Sequence, residues 1–272
     1  MGGDRSEPGT KIEMREGLKS ICRRAIRWCD WLSHRLDLLV LVAVLTLVSG
    51  AWIFLEIADA VIEGETQSLD ERILLSLRER ENLSDPIGPP TLHESMRDFT
   101  ALGGVAVLLL VTLAAAGFLW ISGKSHALLL LLISTGGGWL LMAGLKQWFD
   151  RPRPSVVPHL MLAKSSSFPS GHATLSAVVY LTLGALLARM AETTARKLYI
   201  LAVALILTAI VGVSRVFLGV HYPTDVLAGW SFGLSWAMLC WICARLLQHQ
   251  GWVESAGERG GAVESTDSEG SS

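Results

Sequence analysis

The sequence predicts an all-α integral membrane protein with six transmembrane helices and an interfacial helical segment between helices 1 and 2. Three observations carry this. First, 51% of the 272 residues are hydrophobic and only 18% are charged, a balance outside the range of ordinary soluble domains. Second, stretches free of Asp, Glu, Lys and Arg run from Leu38 to Leu55, Ala101 to Ser122, Ser125 to Leu145, Ser165 to Leu187, Leu198 to Ser214 and Val226 to Ala244. Each approaches the ~20 residues that cross a hydrocarbon core of ~30 Å. Third, apart from Pro8, the prolines (Pro86, Pro89, Pro90, Pro152, Pro154, Pro158, Pro169 and Pro223) stand at the edges of these runs or between them, as spans that satisfy their own backbone hydrogen bonds require.

Residues 1–35 hold eight Lys or Arg and predict a basic cytoplasmic arm, helical from about Ile12 to Leu36, with Trp28 and Trp31 at the membrane interface. The first apolar run begins too late and runs too long for a cleaved signal peptide, so it is expected to stay as an anchor. Lys124 follows the second span, and Arg189, Arg196 and Lys197 follow the fourth. The positive-inside rule puts these short connections, and with them both termini, in the cytoplasm. The loops after spans one, three and five then face outward.

The first outer connection is about 40 residues long, with ten Asp or Glu against four Arg from residue 59 to 98. It holds two capping-box patterns, Ser68 with Glu71 and Thr91 with Glu94, each opening a short predicted helix. Leu69, Ile73 and Leu77 make an apolar stripe on the first, which suggests a helix lying on the outer membrane surface. It is expected to serve as a structural cover or as a lid over a site in the same plane. In the third span, Gly136, Gly137, Gly138 and Gly144 predict close helix packing.

The stretch KQWFDRPRP closes the third span and sets Lys146, Arg151 and Arg153 on the outside, where the inside-positive bias makes cations unexpected. An anion would explain them, since the Arg-Pro pairs hold the arginines extended and a guanidinium suits bidentate phosphate binding. For a lone Lys or Arg, snorkelling to headgroups explains as much. FPSGHAT opens the fourth span with Ser170 as a natural N-cap, and Ser170, Gly171 and His172 then bring free N–H groups and a positive dipole end to an anion. His172 in the first turn would be able to give a proton to a leaving group, although such a triplet is by itself more often only a cap. SRVFLGVHYPTD joins spans five and six. His221 lies four residues before Asp225, a spacing that lets the carboxylate fix the imidazole tautomer and leaves the other nitrogen as a nucleophile toward phosphorus. Arg215 adds a cation.

Each stretch alone reads equally well as a cap or an interfacial anchor. All three fall on the outer face of a topology derived without them, and together they supply what phosphoryl transfer needs. No cluster has metal-ligand spacing, so no metal, cofactor or nucleic-acid partner is expected. Cys240 and Cys243 form a CxxC within the sixth span that is expected to pack rather than react, and Cys22 and Cys29 lie on the reducing side, so no disulfide is expected. The domain layout is an arm (1–35), a six-helix membrane domain (36–247, its motif-bearing part about 125–247) and a Gly-, Ser- and Glu-rich tail (248–272) that composition predicts to be disordered.

The three stretches resemble the motifs of the type 2 phosphatidic acid phosphatase (PAP2) superfamily. These are a Lys, six residues and Arg-Pro (Lys146 to Arg153-Pro154), Pro-Ser-Gly-His (Pro169 to His172), and Ser-Arg, five residues, His, three residues and Asp (Ser214-Arg215 to His221 and Asp225). The resemblance implies a membrane lipid phosphatase in which His221 forms a phosphohistidine, Asp225 orients it and His172 protonates the leaving oxygen. Lys146, Arg153, Ser170, Gly171 and Arg215 would hold the phosphate. Arg151 lies outside the motif's fixed positions, and Ser214 is expected to support the site from behind. The spans argue against a soluble haloperoxidase-like role. The first expected substrate, at the outer or periplasmic face of a bacterial inner membrane, is undecaprenyl diphosphate. Phosphatidate and phosphatidylglycerol phosphate are the alternatives, and a non-enzymatic lipid-binding or transport protein is the alternative of another class.

Overall fold

The computed structural model describes residues 38–161 and 165–249. Contacts divide the chain into two units, 1–43 and 44–272, and only the start of the first helix represents the former among the described residues. The predicted arm with Trp28 and Trp31, Cys22 and Cys29, and the predicted tail beyond His249 lie outside the described residues.

Eight helices account for the described secondary structure: α1 (Leu38–Ile62), α2 (Gln67–Ser76), α3 (Pro90–Ala101), α4 (Val105–Ile121), α5 (Ser125–Phe149), α6 (Gly171–Met190), α7 (Thr194–Phe217) and α8 (Pro223–His249). The last runs two residues past the predicted domain boundary. α1, α5, α6, α7 and α8 are long and apolar enough to cross a membrane, and α3 with α4 makes a sixth such unit bent by 48°. The predicted second span, Ala101 to Ser122, falls on α4, which α3 joins across this bend. The bend lies beside Gly103, where an added Cβ would stand 2.3 Å from a Val211 methyl and 3.3 Å from His172 Cβ. The chain bends where it passes closest to α7 and the head of α6.

α6 is the hub. Every side chain from Ala173 to Thr182 is buried, the state of a helix with neighbours all round, and α5, α7 and α8 pack against it. Closest approach comes at Gly229 and Gly233 of α8, where an added Cβ would sit 2.9 Å from the Ser170 carbonyl and 2.7 Å from that of Thr174. This four-residue spacing of glycines lets two backbones touch, and dispersion between them takes the place of the hydrophobic effect that lipid cannot supply. The expectation placed on α5 is half met. Gly137 and Gly138 do lie against Trp236, whose indole donates to the Ser134 carbonyl (2.8 Å), whereas Gly136 and Gly144 meet nothing within 4 Å. Leu110, Trp120, Ile121 and Trp148 point outward, as side chains do whose solvent is the bilayer.

The two short helices of the first outer connection form, but neither capping box does. Thr66 stands at the N-cap of α2, so Ser68 is already inside, and Glu71 accepts from the Gln67 side chain instead. In α3 Pro89 is the N-cap and Pro90 the first helical residue, the position that its fixed φ and missing N–H favour. Thr91 is thereby shifted inward. In α2 the predicted stripe residues Leu69 and Ile73 are exposed, while Asp70 and Leu74 are fully buried. The helix turns Asp70 and Leu74 toward the protein and Leu69 and Ile73 away. Cys240 and Cys243 are both free.

Candidate active site

The site is assembled at one end of the bundle from the last turn of α5, the loop after it, the first turn of α6, the end of α7 and the start of α8. α5 stops at Asp150, which takes the left-handed conformation (φ 42°) that Asp tolerates better than most side chains. The extended Arg151–Pro154 follows. Ser165–Ser167 runs back alongside it, with the Ser167 N–H donating to the Arg151 carbonyl (2.8 Å) and the Ser167 hydroxyl to that of Pro152 (3.0 Å). This pairing sets carbonyls against Lys146 at the end of α5 and Arg153 of the loop. Lys146 Nζ donates to the Ser166 carbonyl (2.6 Å), and Arg153 donates to the carbonyls of Ser165 (2.7 Å, from Nε) and Val220 (2.6 Å, from Nη1).

Ser170 is the N-cap of α6, its hydroxyl accepting the Ala173 N–H at 3.5 Å, as its residue type predicts. The aliphatic stem of Lys146 lies over Gly171, 3.3 Å from where a Cβ would stand. Any larger residue there would push the ammonium aside. His172 comes next, and the charges of Arg215, Lys146, Arg153 and the His221 ring all act on it. Arg215 is buried at the end of α7, donating to the Thr100 hydroxyl (2.9 Å) and toward Met161 Sδ (2.8 Å), while its Nε has no partner. Thr100 belongs to α3. Ser214 is fully buried and bonds the Val211 carbonyl (2.6 Å), a place behind the site.

His221 follows the turn at Gly219 (φ 72°) and is essentially inaccessible at 1% exposure. Its Nε2 lies 3.2 Å from Arg153 Nη1. A guanidinium has only donors, so Nε2 must present its lone pair and the ring proton is assigned to Nδ1. Nδ1 faces Asp225 Oδ2 at 3.5 Å and has no other partner. Burial pushes the imidazole well below its usual range, and Arg215, Arg153 and Lys146 push the same way against the Ser167 backbone. Burial also lowers Arg153 from its ordinary value, with Asp225 acting the other way. A neutral imidazole with its free nitrogen among cations is the form a nucleophile needs.

Asp225 is fully buried. Its Oδ1 accepts from Arg151 Nη1 (2.7 Å) and its Oδ2 from the Tyr222 N–H (2.9 Å), and its carbonyl accepts the Ser170 N–H (2.9 Å). The first-turn acid of α8 is thus joined to the cap of α6. Arg151 does not face the same way as Arg153. The anion that explains it is carboxylate of the protein itself, Asp225 on one side and Asp70 on the other (3.0 Å), with the Tyr222 ring 4.2 Å beneath.

All eight positions expected to act on a phosphate (Lys146, Arg153, Ser170, Gly171, His172, Arg215, His221 and Asp225) come together here. Asp70, Thr100 and Thr224 were not foreseen. Among the described residues no three His, Cys, Asp or Glu gather as a metal-binding group.

Residues 127–248 match the family model described as the PAP2 superfamily. The chain is 37% identical over 183 residues to phosphatidylglycerophosphatase B of Bacillus subtilis (strain 168), which spans 66% of this chain and 86% of the relative. A lipid A 1-phosphatase of Rhizobium etli is 39% identical over a shorter stretch, 35% of this chain and 40% of its own. Among solved structures, a transmembrane PAP2 type phosphatidylglycerolphosphate phosphatase from Bacillus subtilis superposes with a TM-score of 0.67 at 31% identity, over 78% of this chain and 98% of that one.

Proposed function

Since the chain belongs to the PAP2 superfamily and is a multi-span membrane phosphatase of that family, we propose that it removes the terminal phosphate of a membrane lipid through a phosphohistidine at His221. The observation that carries this reading is the His221 ring, whose two nitrogens face opposite charges, Nδ1 toward Asp225 and Nε2 toward Arg153. Nε2 attacks phosphorus, a P–N bond forms, and the bond to the lipid oxygen breaks as His172 gives that oxygen a proton. Water then attacks the phosphohistidine, His172 takes its proton back, and inorganic phosphate leaves. Lys146, Arg153, Arg215 and the head of α6 at Ser170 and Gly171 neutralise the phosphoryl oxygens throughout, work that in this reading needs no metal.

The name of the Bacillus relative moves phosphatidylglycerol phosphate ahead of the other candidates. Undecaprenyl diphosphate is the second reading. Phosphatidate ranks third, and membership of a phosphatase family sets aside the pure binding protein. The side of the membrane rests on charge. Lys124 lies in the α4–α5 connection, Arg189 in the last turn of α6 and Arg196 and Lys197 in the first turn of α7, all at the opposite end from the site, which favours an outer-face site, cytoplasmic termini and an inner-membrane location. Purified protein assayed in EDTA against these three lipids, with trapping of an acid-labile phosphoenzyme, tests the reading. Turnover by His221→Ala, or a trapped phosphate that survives that substitution, would overturn it.

A further inference from the structure

α2 is fastened to the site by its buried face. Asp70 Oδ1 accepts the Thr224 N–H (3.1 Å), and its Oδ2 accepts the Thr224 hydroxyl (2.6 Å) and Arg151 Nη2 (3.0 Å). Gln67 adds a bond to the Tyr222 hydroxyl (3.1 Å). Asp70 therefore caps α8 from 154 residues away in sequence, doing for that helix end what a local Ser or Asp does elsewhere. The same carboxylate holds the far side of the guanidinium that grips Asp225. One cation is shared between two acids, and neither acid is exposed.

From this the geometry points to Asp70 and Arg151 as positioning residues for the reaction, setting the aim and the effective charge of Asp225 and so of the nucleophile behind it. The inference rests on the reading of His221 as that nucleophile. The charged groups around the ring are Asp70 from α2, Lys146 from α5, Arg151 and Arg153 from the loop, His172 from α6, Arg215 from α7 and Asp225 from α8. Asp70, Arg151 and Asp225 together carry one net negative charge toward Nδ1. With Asp70 neutral, Arg151 spends its whole charge on Asp225, and the imidazolium loses support. Removing Arg151 as well restores the balance.

The test is the pH dependence of kcat/KM for lipid phosphate hydrolysis by the full-length protein in detergent, for wild type, Asp70→Asn and the double variant Asp70→Asn/Arg151→Met. The neutral imidazole is the active form, so rate falls on the acid side as the ring is protonated. Asp70→Asn moves this acid limb to lower pH by about half to one unit and lowers kcat with KM nearly unchanged. The double variant brings the limb back toward wild type although it has lost more contacts. Limbs that stay in place, with loss confined to the yield of folded protein, would mean a structural role only and overturn the inference. Phosphoenzyme trapping separates the two failures. A phosphohistidine lost in His221→Ala together with unmoved limbs sinks this inference alone, whereas no phosphoenzyme in wild type sinks the reading beneath it.

Discussion

Arg151 and Arg153 stand two residues apart in identical Arg-Pro pairs, yet they belong to opposite halves of the site. Arg151 lies between Asp70 and Asp225, so its side of His221 is a closed set of protein charges. Arg153, with Lys146 and Arg215, makes a side of cations whose hydrogen bonds go to carbonyls, hydroxyls, sulfur and the His221 ring rather than to acids. The imidazole sits on the seam. The same dipeptide meets two carboxylates on one side and carbonyls and an imidazole on the other, and the difference lies in what the fold brings against it.

The sharpest way to break this comparison is to remove the seam. His221→Ala is expected to lower kcat by about a thousand-fold or more while the protein still inserts, measured as phosphate release. His172→Ala is expected to act likewise, by loss of the leaving-group proton. Next is the substrate side: Arg153→Ala should cost about a hundred- to a thousand-fold in kcat/KM, the usual loss for a charge-stabilising donor, with little change in melting temperature. Arg151→Met should reverse that balance, destabilising the fold by about 3–5 kcal/mol because it strands two buried carboxylates, read as a lowered Tm in detergent. A milder effect concerns pH. Burial and cations depress the His221 ring, so the neutral form persists below the ordinary histidine range, and the acid limb of kcat/KM should lie under about pH 6.5. The smallest expectation is no change at all with EDTA, and activity lost on chelation would contradict the cationic side as sole neutraliser.

The cationic half was legible in the sequence because its residues come in three short words of fixed spacing, each at a span end. The carboxylate half was not. Asp70 meets Arg151 and Thr224 across 81 and 154 residues, and nothing within α2 marks it, since the apolar stripe of Leu69 and Ile73 faces away from the protein. In water such a stripe points to the core. Here it points away, and the buried face carries Asp70 beside Leu74. The spans were legible as uncharged runs, and the break falls on Gly103-Gly104, a local turn signal inside an apolar run; the approach of Val211 and His172 to Gly103 was not legible. The second capping box failed for a reason that was in the sequence: Pro89-Pro90 fixes where α3 starts.

The bond from the Ser170 N–H to the Asp225 carbonyl, and the contact of Gly229 with the Ser170 carbonyl, weld the heads of α6 and α8 into one fixture. His172 is mounted on one head and Asp225 on the other, with His221 on the approach to it. A change in lipid thickness is met by helices that tilt or shift, but these two tilt as a single piece, so the reacting groups hold their spacing. In the proposed reaction, bilayer composition would then act on how the substrate arrives and leaves rather than on the chemical step.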